Sequence, residues 1–192
     1  MNMNMNKLVA ATAVALSALT FSHSASAVVL TSSSGANIVT DYSEAGVVSF
    51  DLDLVDFSTT TLNFVLEEAD LAGPLSFNAI IRNLVGLSMY QFNFGLQGIG
   101  YAAAGSVSSF SGAAASYSGN NAVIKFANGE TADTLFGNPT MLDGRSDWLL
   151  DTSGLSAGDT FSIVAQVPEP STVAMMLPLM AGLLLARRRK RD

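Results

Sequence analysis

The sequence predicts a mainly β protein: a single antiparallel β-sandwich, jelly-roll-like or immunoglobulin-like, between an N-terminal signal peptide and a C-terminal transmembrane helix. Three observations point there. Apolar and polar residues alternate in several short runs, as they do in half-buried strands. Clusters of turn-forming residues separate those runs. Gly, Ser, Thr and Asn make up 52 of the 139 residues from Val28 to Gln166, a composition that favours turns and short strands over helices.

Residues 1–27 read as a secretory signal peptide. Lys7 supplies the early positive charge, Leu8 to Phe21 form the apolar region, and Ala25-Ser26-Ala27 is a small-x-small cleavage site. Signal peptidase is the expected processing enzyme, and the exported chain is expected to begin at Val28. The one histidine, His23, lies in the part removed, and the chain has no cysteine. The exported chain would then lack both imidazole and thiol. That excludes Ser-His-Asp catalysis, a His acid or base, His-ligated zinc, a Cys nucleophile and disulfides.

The body, residues 28–166, is read as a succession of strands near Ile38–Asp41, Val47–Leu54, Thr61–Glu67, Leu75–Ile81, Ser88–Leu96, Val107–Phe110, Ala122–Phe126 and Asp159–Val167. Phe50, Leu52 and Leu54 alternate with Ser49, Asp51 and Asp53. Tyr90, Phe92, Phe94 and Leu96 alternate with Met89, Gln91 and Asn93. Turns are marked at Glu44-Ala45-Gly46, Ala72-Gly73-Pro74, Ser118-Gly119-Asn120-Asn121, Asn128-Gly129, Asp143-Gly144 and Ser156-Ala157-Gly158-Asp159. Glu67 to Leu71 is poor strand material, and a short helix is expected near Leu66–Leu71. Gly98 to Gly119, rich in Ala, Gly and Ser, reads as an edge strand or a long surface loop.

Charge separates the body from the tail. The body holds 14 acids against three bases, Arg82, Lys125 and Arg145, a net −11 that the whole-chain value of −7 conceals. A body of that sign repels nucleic acid and anionic lipid.

The last 26 residues, 167–192, have three parts. Pro168-Glu169-Pro170 keeps the chain extended. An apolar stretch at residues 173–186 follows, roughly 21 Å long as a helix, against a hydrocarbon core of about 30 Å. Arg187, Arg188, Arg189, Lys190 and Arg191 then form a basic cluster that the positive-inside rule keeps in the cytoplasm. In this order and place the three parts resemble the PEP-CTERM sorting signal of Gram-negative bacteria. The same segment is also labelled an ice-binding protein C-terminal domain, a label that describes the tail and not an activity. The resemblance implies recognition by an exosortase, a membrane-embedded cysteine transpeptidase. It implies transient anchoring in the inner membrane, then delivery to the cell surface or the extracellular matrix. It further implies an association with exopolysaccharide and biofilm.

Two groups of body residues are candidate sites. Asp51, Asp53 and Asp56 are the densest acids. The first two lie on one strand face about 7 Å apart and suit part of a weak calcium shell; the plainer reading is a solvated strand face. Arg145, Asp147 and Trp148 follow a turn and suit a sugar platform, the indole stacking on a pyranose and the polar groups taking hydroxyls. The plainer reading of Trp148 is a core residue beside Leu149 and Leu150. Beyond calcium no cofactor is implied. The single threonine triplet Thr59-Thr60-Thr61 is too short for an ice-binding face. Two functions are therefore expected: a non-catalytic surface or matrix protein, or a carbohydrate-binding module using Trp148 and its loops.

Overall fold

The computed structural model describes residues 27–168. The signal peptide up to Ser26, Glu169 and Pro170 of the motif, the apolar stretch and the basic cluster lie outside the described residues. Among the described residues, strands follow in chain order: β1 (Val29–Ser34), β2 (Ile38–Asp41), β3 (Val47–Leu54), β4 (Thr60–Val65), β5 (Leu75–Asn83), β6 (Met89–Gln97), β7 (Gly100–Ala103), β8 (Val107–Ser109), β9 (Ala113–Ser118), β10 (Asn121–Glu130), β11 (Thr134–Phe136), β12 (Trp148–Asp151) and β13 (Thr160–Gln166). A 3-10 turn, Glu68–Ala72, stands where the acidic run discourages a strand.

The strands make two sheets. The first has the order β1-β4-β13-β6-β10-β9 and is antiparallel throughout. The second has the order β2-β3-β5-β11-β8 and forks at β5. On one side β3 follows β5 over its whole length. On the other, β12 pairs with Leu75–Phe77 and β11 with Ala79–Ile81. The pair β3–β5 is parallel, from Val47↔Ser76 to Leu54↔Asn83, which corrects the wholly antiparallel expectation. The connection explains it: β4 belongs to the first sheet, so the chain crosses over and re-enters the second sheet in the same direction.

Alternation decides which side chains meet. Val48, Phe50, Leu52 and Leu54 of β3 and Leu75, Phe77, Ala79 and Ile81 of β5 turn inward and are buried. From the first sheet Phe92, Phe94, Ile124 and Ile163 face them in the same core. Phe94 joins the sheets: its ring lies 5.2 Å from Phe77 and 4.8 Å from Phe136, both edge-on. Within the first sheet Phe64 and Phe161, directly opposite across β4 and β13, stack at 5.2 Å. Each such fully buried ring contributes about 1.5–3 kcal/mol, with a further ~0.5–1.5 kcal/mol from the aromatic pairing.

The segment Gly98 to Gly119, expected as an edge strand or a long loop with a strand near Val107–Phe110, carries β7, β8 and β9. β9 forms one edge of the first sheet and β8 one edge of the second.

Candidate functional site

The second sheet turns Ser49, Asp51 and Asp53 of β3 and Asn78, Ile80 and Arg82 of β5 outward. The chain between β11 and β12, residues 137–147, lies against that outer face. Gly137 starts it at φ 72°. A Cβ there would come within 2.7 Å of the Asn78 side chain and 2.8 Å of the Phe77 carbonyl oxygen, so only glycine lets the loop lie this close. Asn138 then clamps the loop on itself: its Nδ2 donates to the Leu142 carbonyl (3.1 Å) and its Oδ1 accepts from the Leu142 N–H (2.8 Å).

Asp147 ties the loop to the sheet. Its Oδ1 accepts from the Asn138 N–H (2.7 Å) and its Oδ2 from Asn78 Nδ2 (3.2 Å). Asn78 Oδ1 in turn accepts from the Ser49 hydroxyl (2.7 Å). Between this network and the β2–β3 turn lies a polar groove of about 710 Å³, lined by Tyr42, Ser49, Asp51, Asn78, Arg145 and Asp147 among others. Tyr42 is 54% exposed at its rim. Arg145 Nη1 is buried there without a hydrogen-bond partner. A rim aromatic, a carboxylate and amides are the chemistry that takes hydroxyl groups of a sugar.

Trp148 is not part of that groove, which corrects the sugar platform built on it. The indole points to the opposite face and is fully buried. It stacks on Phe136 at 4.6 Å, with Tyr101 and Tyr117 edge-on at 5.4 and 5.8 Å. Its Nε1 donates to the Ser106 carbonyl (3.2 Å), which also accepts the Gly137 N–H (2.8 Å). With both faces covered, no pyranose can reach the ring. Arg145 and Asp147 do come together in the groove, in the company of Asp51.

The three aspartates do not form one site. Asp51 and Asp53 share the guanidinium of Arg82: Nη2 donates to Asp51 and Nη1 to Asp53 (2.8 Å). The two carboxylates hold the Arg82 proton even more firmly than usual, Asp53 first and then Asp51. A divalent cation would have to displace that guanidinium. Asp56 turns away to Ser58, whose hydroxyl and N–H hold its carboxyl below the usual range. Among the described residues no three His, Cys, Asp or Glu side chains gather as metal ligands.

Glu130 was not singled out by the sequence. It is 1% exposed at the end of β10. Burial pushes its carboxyl up, but donors outweigh burial and bring it down to about 2. They are the N–H and hydroxyl of Ser111 (both 2.9 Å) and the N–H of Ala132 (2.9 Å); the Thr131 N–H also reaches the carboxylate (3.0 Å). Its own carbonyl accepts from Asn83 Nδ2 (2.8 Å), which also reaches the Leu87 carbonyl (2.8 Å). The only sequence signal is an acid three residues before Asp133 in a stretch without a base. Beside this acid an apolar cleft of about 960 Å³ opens between Phe57, Met89, Tyr90, Phe126, Val167 and Pro168.

Comparison with protein-family models, with curated proteins and with solved structures finds no match to this chain.

Proposed function

We propose that the chain is an exported, non-catalytic surface or matrix protein whose two sheets form a sandwich and whose C-terminal segment is a sorting signal. One observation carries the reading: Pro168-Glu169-Pro170, the apolar stretch 173–186 and the five basic residues 187–191 stand in that order directly after the last strand of the body. The prolines keep the backbone extended and open to a membrane enzyme. The apolar stretch is short for a permanent span and contains Pro178. The basic cluster sets orientation. An exosortase would act beside the motif and free the body from the inner membrane for the surface or the exopolysaccharide matrix.

The test compares wild type with a Pro168/Glu169/Pro170 triple-alanine variant in a host carrying an exosortase. Wild type should lose the basic tail and leave the inner membrane; the variant should keep both. If both chains retain the tail in the membrane, simple anchoring replaces the sorting reading.

A second reading, polysaccharide binding by the body, is favoured by the polar groove with Tyr42, Asn78, Arg145 and Asp147. Glycan-array binding by wild type that Tyr42→Ala and Arg145→Gln abolish would support it. Binding unchanged by both would place the ligand elsewhere.

A further inference from the structure

The ends of the body differ in chemistry. At one end lie the turns before β3, β5, β10 and β13 and the exits of β4 and β12. It carries Asp41, Glu44, Glu67, Glu68, Asp70, Asp151 and Asp159, half of the acids of the body. Its three bases lie elsewhere: Arg82 and Lys125 toward the other end, Arg145 on the flanking loop. The other end holds the exits of β3, β5, β8 and β13 and the entry of β6. It displays Val55 (44% exposed), Leu84 (57%), Leu87 (62%), Tyr90 (59%) and Phe110 (93%). Its charges beside the Arg82–Asp53 pair are the half-buried Asp56, the exposed Asp133 and Lys125, and the buried Glu130. The loops that show these side chains are fixed rather than loose. Glu130 binds the 110–112 turn through Ser111, and Asn83 holds the 84–88 turn through Leu87.

A large exposed apolar set on a folded body marks a partner or a lipid surface. The course of the chain chooses between them. The chain leaves the body at this same end, through Val167 and Pro168, which line the apolar cleft. Only residues 169–172 separate Pro168 from the apolar stretch 173–186. Fully extended, the five steps from Pro168 to Val173 reach about 17 Å. Once that stretch enters a bilayer, this end cannot stand farther from the lipid than that.

We infer that, while the chain is anchored, the apolar end rests on the bilayer surface, with Leu84, Leu87, Tyr90 and Phe110 in the headgroup region and the acidic end pointing away. The inference rests on the reading of residues 173–186 as a membrane segment. Aromatic and aliphatic side chains of this kind partition into the headgroup layer. The charge arrangement agrees, because the acids that an anionic surface repels most are at the far end. The occupant is a zwitterionic lipid surface. In this pose the Pro-Glu-Pro segment lies along the membrane–water boundary at a fixed height, instead of swinging on a free linker.

The chain has no cysteine, so single-cysteine labels are clean. The full chain, carrying a fluorophore at Ser88→Cys (apolar end) or Ser153→Cys (acidic end), is reconstituted into phosphatidylcholine vesicles containing a headgroup-region spin-labelled lipid. Flotation reports anchoring; quenching reports contact. Both chains should float, with quenching at position 88 at least roughly two-fold stronger than at position 153. Adding Leu84→Ser, Leu87→Ser and Phe110→Ser should leave flotation unchanged and lower quenching at 88 to the level at 153. Equal quenching at both labels in chains that float overturns the docking and leaves the anchoring intact. Failure to float, with the label at 88 shielded, overturns both and means that the chain's own apolar stretch fills the cleft.

Discussion

Asp147 and Trp148 are neighbours in the chain and have opposite surroundings. Asp147 faces the outer side of the second sheet, where it joins Asn78, Asn138 and Ser49 in a half-exposed polar network. Trp148 enters the inner side, between Phe136, Tyr101 and Tyr117. The one-residue step matters because side chains alternate across a strand. The inner face holds the fold by area and packing, terms that ignore salt and pH. The outer face holds it by charge and hydrogen bonds, terms that both can change, and leaves groups free for a ligand.

The largest effect should come from the inner face. Trp148→Ala empties a fully enclosed site and should cost about 3–5 kcal/mol. Urea unfolding should show that loss undiminished by salt. A loss under about 1 kcal/mol would mean that the indole is not packed as described.

Glu130 sharpens the contrast, being as buried as Trp148 yet held by polar donors. Its folded value of about 2 lies below the ordinary 4.5. The carboxylate therefore stabilises the fold fully above about 4.5, and the stabilisation is lost as pH falls from there toward about 2. The size is on the order of 3 kcal/mol at most. Glu130→Gln should be less stable at pH 7, and the gap to wild type should close on acidification through that window. A gap independent of pH would break the assignment.

On the outer face, Arg82→Met leaves Asp51 and Asp53 facing each other without their shared cation. The loss should be about 1 kcal/mol at low salt, since Arg82 is partly exposed. It should shrink in roughly 1 M salt as the carboxylate repulsion is screened. Denaturation at two salt concentrations checks it. The smallest effect on stability is expected for Tyr42→Ala, within about 0.5 kcal/mol, although the same change should remove any glycan binding. That pair of results would separate ligand chemistry from folding on this face.

Strands with strict alternation were legible from the residues alone. β2 and β3 have the expected limits, and β4, β5, β6, β8, β10 and β13 differ from expectation mainly at their ends. The missed strands lack that signal. β1 and β9 are built largely from Ser, Thr and Ala and bury almost nothing. β11 and β12 are too short to show a period. The parallel β3–β5 pair was illegible because it depends on where β4 goes, which no local pattern encodes. The site was legible in its parts only. Arg145 and Asp147 belong to the groove, but the partner that Asp147 finds in Asn78 lies 69 positions away in the chain. The arginine that claims Asp51 and Asp53 lies 31 and 29 positions away. Trp148 illustrates a further limit: composition offered a sugar platform, and the half-turn between consecutive strand residues placed the ring inside.

The position of β13 bears on how such a chain comes to be folded at all. The first sheet consists of β1-β4 on one side and β6-β10-β9 on the other, and β13 is the strand that joins them. Until Thr160–Gln166 is available, Phe64 has no Phe161 to stack on and the edges of β4 and β6 stand open. Pairings this distant in sequence form slowly. The first sheet cannot close before nearly all of residues 27–168 are available.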